Sequence, residues 1–303
     1  MAPGPAAIAY AVAMANPYLD DLRLAHVLAD SADNLSMDRF GAVDLSVSTK
    51  PDMTYVTESD QAVEAAIRRT LASARSRDIV LGEEEGETEG TAGSSERRWI
   101  VDPIDGTSNF VRGVPVWGTL IALEEAGEIV VGCVSAPALG RRWWASKDGG
   151  AHTGKSLLSS RQIQVSHVSD LAAASISYAS LGGWEQIGKR DDFLHLLSRA
   201  WRTRAFGDFW SYMLLAEGAI DIAVEPELNL WDMAALDIIV REAGGRFTSL
   251  SGEPGPWGGN ALATNGRLHD TAMAFVGYFP DEDPAPAPDP TDNVRHLDLH
   301  RRS

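Results

Sequence analysis

The clearest helical periodicity at the start of the chain lies in residues 17–33, PYLDDLRLAHVLADSAD, where Leu19, Leu22, Leu24 and Val27 are spaced between charges. That pattern predicts an amphipathic helix. A second helix is expected from about Gln61 to Ala74. There Val63, Ile67 and Leu71 stack at four-residue spacing, and Ser59 or Asp60 stands where an N-cap belongs. The period then shortens. Ile79-Val80-Leu81 and Trp99-Ile100-Val101 are short apolar runs that predict strands, with a glycine- and serine-rich loop over Gly86–Ser95 between them. Segments 116–124 and 128–137 read as strands joined by a turn at Glu125-Ala126-Gly127, and Arg142–Ser146 reads as a third.

Beyond residue 160 strand-like and helix-like segments alternate. Strands are expected at Ala174–Tyr178 and Ile220–Val224. Helices are expected at Asp191–Arg199, Phe209–Glu217 and Trp231–Ala243, the last stopped by Gly244-Gly245. Such alternation suggests an α/β protein with helices layered on sheets. The organisation expected is a flexible extension over 1–16, an α+β half over 17–155, an α/β half over 156–279, and a disordered Pro- and Asp-rich tail over 280–303.

A net charge of −17 argues against nucleic acid or an anionic membrane as a partner surface. It is equally awkward for a phosphate substrate unless bound cations reverse the sign locally. One cysteine, Cys133, excludes an internal disulfide and fits a reducing compartment. No run of apolar residues is long enough to span a bilayer. A cytoplasmic protein is expected.

The candidate chemistry sits where two strands end in acids, Glu83-Glu84-Glu85 after the first and Asp102 and Asp105 after the second. Strand ends are common places for ligand sites. Carboxylates gathered this closely raise one another's pKa unless cations hold them. Hard oxygen donors suit Mg²⁺ or Mn²⁺ better than zinc. In Asp102-Pro103-Ile104-Asp105-Gly106-Thr107 the proline fixes one φ and the glycine allows a close backbone approach. A helix starting near Gly106 would offer free N–H groups and the Thr107 and Ser108 hydroxyls to a phosphate. Glu83–Glu85 could equally be a solvated acidic loop. Asp232 and Asp60 could each be helix caps, metal ligands, or both.

Four ordered segments carry a resemblance. WIVDPIDGTSNF at 99–110 and WDMAALDIIVREAGG at 231–245 resemble the two signatures of the inositol-monophosphatase-like phosphatases, and VLGEE at 80–84 and VTESD at 56–60 match the remaining landmarks. The likeness runs from about residue 20 to 275. It implies a five-layered αβαβα sandwich, usually dimeric. It implies two or three Mg²⁺ ions, Mn²⁺ being a possible substitute, held by Glu83, Asp102, the Ile104 carbonyl, Asp105 and Asp232. Thr107, paired with Asp60, would help Glu83 activate the attacking water. Gly106, Thr107 and Ser108 would hold the phosphate.

Further segments, GVPVWGTLIAL at 113–123, APALGRRWW at 136–144, SLGGW at 180–184 and RAFGDFWSY at 204–212, resemble the histidinol-phosphate phosphatases of that superfamily. That likeness implies hydrolysis of L-histidinol phosphate to L-histidinol and phosphate in histidine biosynthesis. Arg204, Asp208, Glu225 and Asp232 would contact this substrate, and Asp208, Glu225 and Trp210 suit a cationic amine and an imidazole. Inositol 1-phosphate or another sugar phosphate is the alternative substrate, and a non-catalytic metal-bound regulator a more distant reading. Gly149–Ser156 also fits the G-x-x-x-x-G-K-[ST] pattern of nucleotide-binding loops. The alternation that follows it predicts a turn between strands instead.

Overall fold

The computed structural model describes residues 16–50, 55–90, 92 and 95–278. The tail expected over 280–303, and residues 1–15 of the expected extension, lie outside the described residues. Asn16 is described, and its side chain donates to Ser146 Oγ at 2.8 Å.

The described residues begin with α1 (Leu19–Arg39), continue through a small hairpin of β1 (Val47–Thr49) and β2 (Tyr55–Thr57), and enter α2 (Glu58–Ala74). An eight-stranded sheet follows, from β3 (Ile79–Gly82), β4 (Gly86–Thr88), β5 (Arg97–Asp105), β6 (Gly118–Glu125), β7 (Glu128–Ala136), β8 (Arg141–Ser146), β9 (Gly150–Ser156) and β10 (Ser159–Gln162). Its order is β10-β9-β8-β7-β6-β5-β3-β4. Only β3 and β5 run parallel; the other pairs are antiparallel. The short helix α3 (Thr107–Val111) interrupts it after β5.

A five-stranded sheet, ordered β12-β11-β13-β15-β14, is built from β11 (Ser175–Ser177), β12 (Arg202–Arg204), β13 (Ile222–Glu225), β14 (Arg246–Thr248) and β15 (Ala261–Thr264). Its helices are α4 (Gly182–Gln186), α5 (Arg190–Arg199), α6 (Asp208–Ala216), α7 (Leu230–Glu242) and α8 (His269–Val276).

Three apolar clusters define the layering. Leu22, Leu28, Val63 and Ile67 of α1 and α2 bury one face of the large sheet against Trp99, Ile121 and Val131. The opposite face, with Ile100, Leu120 and Trp143, meets Met213, Leu215, Ile238 and Ile239 of α6 and α7, which also cover Ala223 and Ala263 of the small sheet. Ile176, Ile222 and Leu262 on the far side of that sheet pack on Phe193, Leu196 and Val276 of α5 and α8. The result is helix, sheet, helix, sheet, helix, the five layers expected. α7 lies between two sheets, and eight consecutive residues, Met233–Val240, are buried all round it.

Several elements differ from expectation. α1 runs past residue 33 because Ser36 is also buried and no glycine intervenes before Gly41. The loop expected over Gly86–Ser95 begins as β4, which pairs with β3 through Val80, Leu81 and Gly82. The nucleotide-loop-like segment is strand β9, paired with β10, so no helix follows Lys155. The division expected between residues 155 and 156 falls in the last residues of β9, and the large sheet continues to Gln162. Among the described residues no helix is long and apolar enough to cross a membrane. Cys133 is fully buried, its thiol pushed up to about 12 by burial.

Candidate active site

The parallel pair β3 and β5 end side by side, Gly82 opposite Val101. Their C-terminal ends therefore deliver Glu83, Asp102 and Asp105 to one place. The pairing of β5 with β6 shifts register between Asp102 and Asp105, so both acids serve the site although the strand runs through them. Gly106, at φ 85°, turns the chain into α3, and α7 contributes Asp232 from its first turn.

Carboxylate oxygens of Asp102, Asp105 and Asp232 lie within 4.8 Å of one another. Burial, then the charges of Glu83 and Asp105, pushes the Asp102 carboxyl well above its ordinary range. Burial, then Asp208 and Asp232, does the same for Asp105. Asp232 is pushed up to about 7, chiefly by burial. Asp102 Oδ1 is buried with no hydrogen-bond partner. Such a group is costly to leave unmatched, about 1–3 kcal/mol or more for a charged one. An oxygen-only cluster of this kind, with one orphaned lone-pair set, fits a hard divalent cation.

Asp60 and Asp232 resolve the ambiguity between cap and site in the same way. Each stands at the third helical position, not at the N-cap, which is Thr57 in α2 and Asn229 in α7. Asp60 Oδ2 accepts from the Thr57 N–H at 2.8 Å and Asp232 Oδ2 from the Asn229 N–H at 2.7 Å. One oxygen of each acid caps its helix; Asp232 also lines the cavity beside Asp102 and Asp105, whereas Asp60 lies behind it, against Thr107. Asp60 Oδ1 lies 3.3 Å from Thr107 Oγ1, which is also 3.0 Å from the Ile104 carbonyl.

The three consecutive glutamates separate. Glu83 lines the cavity, but Lys50 Nζ sits 2.7 Å from its Oε1 and 2.7 Å from Glu84 Oε1. Glu85 is half exposed and faces Arg68. The loop itself is held by Glu64 of α2, fully buried, whose carboxylate accepts from the N–H groups of Glu84 (2.8 Å) and Glu85 (3.0 Å).

These acids open on a cavity of about 490 Å³ lined by Glu83, Asp102, Ile104, Asp105, Gly106, Thr107 and Ser108, and by Asn109, Phe206 and Asp208 on its other side. A second lobe of about 330 Å³ shares Asp105, Asp208, Asp232, Ala179 and Ser180 with the first and adds Phe209, Tyr212, Glu225, Glu227 and Leu228. Asp208 is at φ 48°, an unusual conformation for a non-glycine residue, and burial pushes its carboxyl up to about 6. Asn109 donates to Asp208 Oδ2 at 2.9 Å and to the Val116 carbonyl at 2.8 Å. Glu225 is buried, well above its ordinary pKa for that reason, and accepts from the Ala179 N–H at 2.5 Å.

Two expected substrate contacts are placed elsewhere. Arg204 is exposed at the end of β12, bonds the Thr203 carbonyl, and lines neither lobe. Trp210 also lines neither lobe. It stands two residues, roughly 200° around α6, from Asp208, and its ring packs on Phe206. The aromatic walls come instead from Tyr55, Phe206, Phe209 and Tyr212. Sequence reasoning passed over Lys50, Glu64, Asn109 and Tyr212. For Tyr212 the signal was present, because it lies one helical turn from Asp208.

Residues 22–276 match the inositol monophosphatase family. The chain belongs to that family. Its likeness to individual family members is specific. A histidinol-phosphatase of Streptomyces coelicolor is 62% identical over 263 residues, covering 86% of this chain and 97% of the relative. A histidinol-phosphatase of Mycobacterium tuberculosis is 57% identical over 254 residues, covering 84% and 96%. Among solved structures, the Thermotoga maritima inositol monophosphatase superposes with a TM-score of 0.75 at 30% identity, over 85% of this chain and 97% of that one. The five layers are thus those of the inositol monophosphatase fold.

Proposed function

We propose that this member of the family is an Mg²⁺-dependent phosphomonoesterase that hydrolyses L-histidinol phosphate to L-histidinol and inorganic phosphate, a reaction of histidine biosynthesis. The observation that carries this reading is the Asp102–Asp105–Asp232 cluster with the orphaned oxygen of buried Asp102, beside a two-lobed cavity. The high identity to two relatives named histidinol-phosphatase supports the substrate.

Glu83, Asp102, the Ile104 carbonyl, Asp105 and Asp232 would hold two or three ions. Bound Mg²⁺ supplies neutralisation of the phosphate oxygens and acidification of water. The residues of the chain do the rest. Gly106, Thr107 and Ser108 present the first turn of α3, whose N–H groups lack intrahelical partners, to the phosphate. The Thr107 hydroxyl donates its hydrogen bond to Asp60 or to the Ile104 carbonyl, so the hydroxyl oxygen can accept a hydrogen bond from the attacking water. Glu83 is the acceptor for that water's proton.

The second lobe takes the organic body of the substrate, with Asp208 and Glu225 facing its amine. The two halves of the chain would together form one subunit of a cytoplasmic homodimer. Dialysis against a chelator tests the metal requirement. Activity should vanish and return with Mg²⁺, and full activity in metal-free protein would contradict the reading.

A further inference from the structure

Of the buried polar side-chain atoms without a partner among the described residues, two belong to residues that line the site cavity. Asp102 Oδ1 faces the first lobe and fits a cation. The other is Tyr212 Oη, in the second lobe, on a side chain only 1% exposed. A buried hydroxyl that finds no partner in its own chain calls for one from outside it. Tyr212 stands one helical turn after Asp208 on α6, so the two share a face of the helix and point into the same lobe.

The remaining groups of that lobe define what the partner must be. Its polar side chains are almost all carboxylates, Asp105, Asp208, Glu225, Glu227 and Asp232, which accept hydrogen bonds when ionised. Ser180 is exposed and its Oγ is engaged by the Gly182 N–H. Tyr212 is thus the buried side-chain donor of the lobe. Phe209, Pro226, Leu228 and Leu236 form its apolar wall. An ammonium group satisfies the carboxylates but has no lone pair to offer the phenol. A flat heteroaromatic ring with one N–H and one bare nitrogen satisfies both and suits the apolar wall.

We propose that Tyr212 is a specificity residue whose hydroxyl donates a hydrogen bond to the unprotonated ring nitrogen of an imidazole-bearing phosphate ester. This rests on the substrate class proposed above. Burial, with the charge of Glu225, raises the phenol well above its ordinary pKa, which keeps the donor proton in place.

The test compares wild type and Tyr212→Phe on L-histidinol phosphate and on 2-aminopropyl phosphate, which keeps the amine and phosphate but lacks the ring. The ratio of kcat/KM between the two esters should fall about tenfold in the variant, mainly through KM, the size of one lost hydrogen bond to a buried group. Thermal unfolding of the free enzyme should show a Tm equal to or above that of the wild type, because the variant removes an unmatched hydroxyl. An unchanged ratio, or a lowered Tm showing that the hydroxyl serves the fold, overturns the proposal while leaving the activity intact. A wild type that fails to hydrolyse L-histidinol phosphate overturns the substrate assignment itself.

Discussion

The side-chain amide of Asn109 lies 2.9 Å from Oδ2 of Asp208, and so ties α3 to the carboxylate at the mouth of the second lobe. The same oxygen is close to Gly106, where an added Cβ would come within 3.2 Å of it. Asp208 is therefore fixed relative to Gly106 and α3 despite its left-handed backbone. Removing the partner of a desolvated amine costs about 2–5 kcal/mol. Asp208→Ala should lower kcat/KM for L-histidinol phosphate far more than for a generic aryl phosphate, as measured by steady-state kinetics on both. An equal loss on both would make Asp208 a structural residue.

Asp105→Asn removes one carboxylate of the proposed metal site at nearly constant shape. Turnover of every phosphate ester should fall by at least about two orders of magnitude, the loss typical of a key electrostatic group. Circular dichroism should show a folded protein, because one of several mutually repelling acids has been neutralised. Normal turnover would remove Asp105 from the site.

The stability of the metal-free protein should depend on pH in a definite direction. Folding raises the carboxyl pKa of Asp102 and Asp105, and moves Asp232 from 3.8 to about 7. In that window the folded state holds more protons than the unfolded chain, so stability falls as pH rises. Buried His26 and His269, both lowered to about 4, act oppositely, but only below their ordinary value of 6.5. Above about pH 6.5, as pH rises through the Asp232 value of about 7, the Tm of chelated protein should therefore fall. The increase in Tm on adding Mg²⁺ should grow over the same interval, since binding requires the ionised acids. Calorimetry at three pH values checks both.

Gly82→Ala should damage the site from behind. A Cβ there would sit 2.3 Å from Glu64 Oε1, the carboxylate that holds the Glu84 and Glu85 amides. Overpacking of this kind costs about 1–3 kcal/mol. A lowered urea midpoint together with reduced turnover is expected. Unaltered stability would show that Glu64 is free to move.

Much of this architecture was legible in the sequence. Asp102-Pro103-Ile104-Asp105-Gly106-Thr107 disclosed its chemistry because a strand end, a turn glycine and two acids are adjacent in the chain. The five layers followed from the family resemblance more than from periodicity, since α7, buried on all sides, shows no polar stripe to orient it. Short elements such as β12, β14 and β15 are three or four residues long and exist only through their neighbours in the sheet. Lys50 and Glu64 were illegible for a different reason. Each acts on Glu83–Glu85 from a point 20 or more residues away, and no local pattern marks a lysine or glutamate for such a role. Trp210 lies two residues from Asp208 in sequence, whereas helical geometry places Tyr212, four positions on, on the same face as the acid.

The central claim is tested most directly by the initial rates of chelated enzyme, with and without restored Mg²⁺, on L-histidinol phosphate and on inositol 1-phosphate. The proposed reading requires Mg²⁺-dependent release of phosphate from L-histidinol phosphate, with inositol 1-phosphate turned over poorly at best. A preference for inositol 1-phosphate would contradict the assignment of the second lobe, and release of phosphate without a divalent ion would contradict the assignment of the acid cluster.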